Sequence, residues 1–127
     1  MTDTMTIRVI LFGIVLALFS VLGIGLSHAN CSQLHALAQQ HANDMARRDR
    51  LDHAGFKKRR GPAGVSAENV AVGCATEACA IDTWLKSAPH RKNMMLGGCR
   101  GIASAVSRSG RRYWAIEIGF DDSLDRH

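Results

Sequence analysis

The chain has 127 residues, 46% of them hydrophobic and 6% aromatic, and 16 Lys and Arg exceed 11 Asp and Glu for a net charge of +5. Less an apolar N-terminal stretch, that length makes one small domain and excludes two. Aromatic residues are too few around the basic ones to stack bases, which excludes single-stranded nucleic acid as a partner.

Residues 9–26 form an unbroken run of 18 uncharged, mostly apolar residues after Arg8, followed by Ser27-His28-Ala29, a small-x-small site of the kind signal peptidase cuts. Two readings stand: a signal peptide over 1–29, or a retained membrane anchor, since the run approaches the ~20 residues needed to span a bilayer. Either exports the remainder, 30–127, as a secreted or periplasmic domain or as one held at the membrane through residues 9–26.

Ser32 to about Arg50 is predicted as a helix capped by Ser32, with Leu34, Leu37, Ala38, His41, Ala42, Met45 and Ala46 on one apolar face. His41 on that face reads as a packed, hydrogen-bonded histidine, and His35, off the stripe, as exposed. Leu51 to Gly64 is predicted irregular, punctuated by Gly55, Gly61, Pro62 and Gly64. It carries the basic run Lys57-Lys58-Arg59-Arg60, which suits an anionic envelope polymer or lipid, or is simply a solvated loop. Ser66 to Val72 reads as a short helix or turn. Thr76 to Ser87 is predicted as a helix capped by Thr76, with Ala80, Ile81 and the core candidate Trp84 on one face; Pro89 ends it. His90 to Leu96 is a further short turn or helix, broken by Gly97-Gly98. Residues 101–106 and 112–120 are predicted as strands of a hairpin; the second places Tyr113, Ala115, Glu117 and Gly119 on one face and Trp114, Ile116, Ile118 and Phe120 on the other. Helix, loop, helix and hairpin together imply an α+β layered domain.

Four cysteines in an exported domain read as two disulfides, with three pairings open. Cys74–Cys79 and Cys31–Cys99 are preferred, the first pair being close in sequence and the second tying the N-terminus of the domain to its body. A cysteine zinc site is disfavoured, because these spacings do not match the paired short spacings of structural zinc sites.

Three residues have the chemistry of a built site. His53 and His90 sit beside turn formers, and Glu68 lies in an apolar stretch where a carboxylate needs donors or a cation. Imidazole and carboxylate are ordinary zinc ligands and ordinary general acids and bases. The bland alternative is that Glu68 and Asn69 tie a loop to backbone groups. Arg91 suits either an anion or the last carbonyls of a helix. Ser87, His90 and Glu68 superficially form a Ser-His-acid set, but without the context of a nucleophile elbow.

Ala67-Glu68-Asn69-Val70-Ala71 resembles the G-E-N-I/V-A motif of the CAP superfamily (cysteine-rich secretory proteins, antigen 5 and plant pathogenesis-related 1 proteins). Trp84-x-x-Ser87-x-x-His90-Arg91-x-Asn93-Met94 is similar to a motif of its bacterial SCP-like branch. His41, Met45-Ala46, His53, Tyr113-Trp114 and Gly119 extend the resemblance over nearly all of 30–127. It implies an α-β-α sandwich, here in a compact version, since this short chain shows one clear hairpin where fuller members have three or more strands. It also implies a cleft with His53, His90 and Glu68 as candidate metal ligands, holding zinc or another divalent cation weakly, lined by Asn69, Ser87 and Arg91. Ser87 stands where eukaryotic members carry a second acid, and the proline comes one place late.

Three functions compete: a binding module for a divalent metal, a lipid or another small envelope-derived ligand; a metal-assisted or general-base hydrolase of envelope polymer or peptide; and a structural disulfide domain with a vestigial cleft. The resemblance implies no common reaction, and the missing acid weighs against the hydrolase. The binding module is favoured, with no residue assigned a catalytic role.

Overall fold

A computed structural model describes residues 31–119; the apolar run 9–26, the expected boundary after Ala29 and Phe120 lie outside the described residues. Among the described residues no helix is long and apolar enough to cross a membrane.

Helix α1 spans Cys31–Arg48 and buries Leu34, Ala38, His41, Ala42, Met45 and Ala46, the stripe expected from their spacing. Ser32 is already helical there, so it does not cap the helix from outside as expected. At its other end Asp49 takes a left-handed φ of 51°. The Asp49 carboxylate accepts hydrogen bonds from Ser109 Oγ (2.7 Å), Tyr113 Oη (2.8 Å) and Arg111 Nε (3.1 Å). These donors, Ser109 first, hold that carboxyl down at about 2 and clasp the end of α1 to the hairpin turn.

The stretch read as a helix or turn at 66–72 is instead a strand, β1 (Val65–Val72). Its five central residues, Ala67 to Ala71, are all buried, because helices cover both faces of the sheet and erase the two-residue alternation that marks a half-exposed strand. Helix α2 (Glu77–Lys86) is capped as expected, Thr76 Oγ1 accepting from the Cys79 amide at 3.2 Å. Pro89 does more than close α2: it sits in the first turn of a separate helix, α3 (Ala88–Met94), where its missing N–H costs nothing. Strands β2 (Cys99–Val106) and β3 (Arg112–Gly119) form the expected hairpin. The sheet is antiparallel in the order β1-β3-β2, so it has three strands where the sequence predicts the hairpin alone.

The two faces of β3 divide the core as the alternation indicates. Tyr113 and Ala115 join Val70 and Ala103 beneath Ala38, Ala42, Met45 and Ala46 of α1. Trp114, Ile116 and Ile118 pack with Ala80 and Trp84 of α2 and Met94 of α3. The result is an α-β-α sandwich. Trp84 is fully buried and donates from Nε1 to the Val70 carbonyl at 3.1 Å.

Side chains cap the outer strands, whose free carbonyls would otherwise invite another chain. On β2, His35 Nδ1 donates to the Ile102 carbonyl (2.8 Å) and Gln39 Nε2 to the Ser104 carbonyl (3.0 Å), one helical turn apart on α1. His35, expected to be merely exposed, therefore has a structural partner. On β1, Asn93 Nδ2 reaches the Glu68 carbonyl at 3.4 Å beside the Trp84 bond. The disulfides are Cys31–Cys99 and Cys74–Cys79, the pairing preferred from the sequence.

Gly101 of β2 lies against the α1 backbone: a Cβ there would run into His35 N and Leu34 C. Backbone atoms cannot swing aside as a side chain can, so Gly101→Ala should push α1 off the sheet. Denaturant unfolding should show a loss of about 2–3 kcal/mol or more; Ala at the open Gly97 should cost far less.

Candidate functional site

The site grows from the turn that follows α1. Residues Phe56–Arg60 form one π-helical turn entered through Gly55, whose φ of 81° suits glycine. A side chain at Gly55 would also strike the Arg59 guanidinium. The turn splits the basic run. Lys57, Lys58 and Arg59 stay exposed, whereas Arg60 turns inward and is only 4% exposed. Arg60 Nε faces Glu68 Oε2 and lies 3.1 Å from Glu117 Oε1, and Nη1 donates to the Ala54 carbonyl at 2.9 Å.

Glu68 of β1 and Glu117 of β3 are direct cross-strand partners. Two buried carboxyls thus flank one guanidinium. Burial, then the neighbouring Glu68, pushes the Glu117 carboxyl up to about 10, so Glu117 keeps its proton. Burial also works against charge on Glu68. The neighbouring Glu117 carboxyl and Arg60, then the His41 and His53 rings, outweigh it and hold Glu68 below the usual carboxylate range. One proton and one arginine therefore neutralise the pair.

Glu68 Oε1 accepts from His53 Nδ1 at 2.7 Å. A carboxylate only accepts, so Nδ1 carries the hydrogen, and in the neutral form of the ring Nε2 presents a lone pair. His53 is half exposed while Glu68 is buried, so the pair runs from the interior to the surface. His41 Nε2 lies 3.4 Å from the same oxygen and donates to the Asp52 carbonyl at 2.8 Å. Burial lowers the His41 pKa, and the nearby Glu68 carboxylate works against that shift. His41 is packed and hydrogen-bonded, as its place on the apolar stripe indicates, and it also supports the carboxylate. Arg48 fixes Asp52 with two bonds, at 2.7 and 2.9 Å, and so steadies the segment that carries His53.

Two open grooves meet at His53. One, of about 280 Å³, is lined by His53, Phe56, Ser66, Ala67, Glu68 and Asn93. The other, of about 320 Å³, is lined by His53, Gly55, Phe56, Lys57 and Lys58 and is largely apolar. His90 is half-buried on α3, three residues before Asn93 and so on the same helical face. Asn69 is wholly buried beneath α3: its Nδ2 donates to the His90 carbonyl (3.0 Å) and its Oδ1 accepts from Asn93 Nδ2 (2.8 Å). Asn69 positions the helix that carries His90. Ser87 forms the joint between α2 and α3. Arg91 donates to the Leu85 carbonyl at 3.0 Å, the helix-capping alternative.

Zinc sites use three or four protein ligands. Among the described residues no group of three or more His, Cys, Asp or Glu side chains is placed to hold a metal. Glu68 turns its oxygens to His53 and Arg60 instead, so the described residues do not fit a resident zinc ion. Glu117 and Arg60 are not singled out by the sequence patterns. The available signal is that Glu117 is the lone charge in the apolar centre of β3.

A neutral Glu117 makes folding stability pH-dependent. Its folded pKa lies above that of an ordinary carboxyl, so between about pH 4.5 and 10 the native state holds a proton that the unfolded chain releases. Stability should fall as pH rises through that window, by at most about 1.4 kcal/mol per unit from this group. Glu117→Gln, which mimics the protonated acid, should flatten the slope in urea melts at pH 6–9 and leave the variant more stable than wild type at pH 9. An unchanged slope would show Glu117 to be ionised.

The model of the cysteine-rich secretory protein family matches residues 29–117. Among solved structures, an outer surface protein from Borrelia burgdorferi superposes with a TM-score of 0.57 over 95% of this chain and 97% of that one, at 14% identity, a likeness of fold. A search among curated proteins finds no match. The α-β-α sandwich, the paired cysteines and the match over most of the chain lead to one conclusion: this protein belongs to the cysteine-rich secretory protein (CAP) family.

Proposed function

We propose that this protein is an exported CAP-family binding domain whose ligand, a hydroxyl-rich, envelope-derived molecule, lies across His53. The observation that carries this reading is the His53–Glu68 pair. A buried anion fixes one imidazole nitrogen as a donor and, in the neutral ring, leaves the other as a lone pair at the meeting point of two grooves. A lone pair, the Asn93 amide, the Ser66 hydroxyl and the Phe56 ring are together the donors, acceptors and flat apolar surface that a sugar-like ligand engages. Two disulfides and the apolar run at 9–26 support export.

The same pair favours a second reading, general-base hydrolysis, because a carboxylate-oriented histidine can take a proton from water. Hydrolysis would need an aligned nucleophile and a stabilised oxyanion as well as the base, whereas binding needs only the groove and its polar groups, so binding is the reading favoured. A divalent ion held by His53 Nε2 is a weaker version of the binding reading, since one or two imidazoles give few ligands.

Cosedimentation with isolated envelope glycan separates these readings. Wild type should bind saturably, and His53→Ala, at an exposed position where folding is spared, should weaken binding at least about tenfold. Equal binding by the variant would sink the assignment. Soluble product released by wild type but not by His53→Ala would replace binding with hydrolysis. Zinc uptake lost in His53→Ala would identify the ligand as metal.

A further inference from the structure

We propose that the exposed basic turn Lys57-Lys58-Arg59 is a membrane contact, docking on anionic lipid headgroups beside the point where residues 9–26 leave the domain. The proposal takes the retained-anchor reading of that run and goes beyond the ligand assignment at His53.

Placement comes first. Phe56, which opens the basic turn, packs with Leu34 and Leu37 in the first two turns of α1, together with Val65 and Cys99. Cys99 is joined to Cys31, the first described residue of α1. Arg59 lines a small pocket with Leu37 and Gln40 of the same helix. The basic turn therefore runs alongside α1 from Leu34 to His41, with its opening residue Phe56 nearest the end at which the preceding chain enters.

Tether length comes second. Five residue steps separate Leu26, the last of the apolar run, from Cys31. Fully extended, they reach at most about 17 Å. With 9–26 in a bilayer, that end of the domain stays within about two Debye lengths of the headgroups at physiological salt.

Charge comes third. Lys57, Lys58 and Arg59 are all exposed, and no described carboxylate pairs with them; Arg60 alone among the four basic residues has acidic partners. Three uncompensated cations within reach of an anionic leaflet are drawn to it, each strengthening the contact roughly fivefold. Lys57 and Lys58 also border the apolar groove at His53, so docking would set the ligand site at the lipid surface.

The test uses the full chain reconstituted in vesicles of neutral lipid or of neutral lipid with about one third phosphatidylglycerol. Amine acetylation is read at Lys57 and Lys58, with Lys92 of α3 as the internal reference. Labelling at Lys57 and Lys58 should fall at least about fivefold on the anionic vesicles, and Lys92 should not change. About 1 M salt should abolish the protection, and Lys57→Glu should return Lys58 to its rate on neutral vesicles. Equal labelling on both vesicle types would overturn the proposal. So would equal protection of Lys92, or protection already complete on neutral vesicles, as expected if the chain's own acidic residues Asp121, Asp122 and Asp125 covered the turn. If soluble polyanion protects the turn on neutral vesicles and anionic lipid does not, the partner is a polymer and the membrane assignment fails. Loss of glycan binding in His53→Ala is read separately, so the two assignments stand or fall apart.

Discussion

The structure depends on one electrostatic constraint: two carboxyls on adjacent strands are buried around a single guanidinium. Burying an unpaired charge is prohibitively costly, and even a buried pair barely recovers its desolvation. Here Glu117 keeps its proton, Glu68 is an anion, and Arg60 supplies the countercharge. Much of the local backbone follows from this requirement. The chain after α1 must deliver Arg60 inward while its three basic neighbours remain in water, and a single π-helical turn entered through Gly55 does so. The same turn sets Phe56 against α1 and forms a wall of both grooves.

The anion then organises what faces outward. Glu68 orients His53 through Nδ1 and receives support from His41, whose place in the core is set by the apolar stripe of α1. Across the cleft, the buried amides of Asn69 and Asn93 tie α3 to β1 and so fix the helix that bears His90. The exposed histidine is a small part of a network that is mostly interior. That makes Glu68 an orienting group, in the way that a carboxylate behind a ligating or basic histidine fixes its tautomer.

Much of the fold is legible in the sequence because it rests on local patterns. The three-to-four spacing in α1, the Thr76 cap of α2 and the two-residue alternation of β3 each have a short-range cause and are readable residue by residue. β1 is not, because helices on both faces bury Ala67 to Ala71 and remove the alternation, and because an internal Glu-Asn pair looks unlike a strand until its partners on β3 and α3 are known. Pro89 reads as a stop; its position relative to Ser87 makes it a start as well. At the site, His53 and Glu68 are identifiable from residue type and motif, whereas Arg60 is hidden in a basic run and Glu117 in a strand.

The sequence by itself determined the family, the α+β layering, the number of disulfides and the identity of the histidine and glutamate at the cleft, since motifs, periodicities and cysteine counts are properties of order along the chain. Only the tertiary structure decided which of four consecutive basic residues is buried, that Glu117 stands beside Glu68, and that Glu68 spends its oxygens on His53 and Arg60. The physical reason is that a group's charge state and partners depend on burial and on neighbours far away in sequence. Glu68 and Glu117 are 49 residues apart, and each shifts the other's charge state because antiparallel pairing of β1 with β3 places them opposite each other.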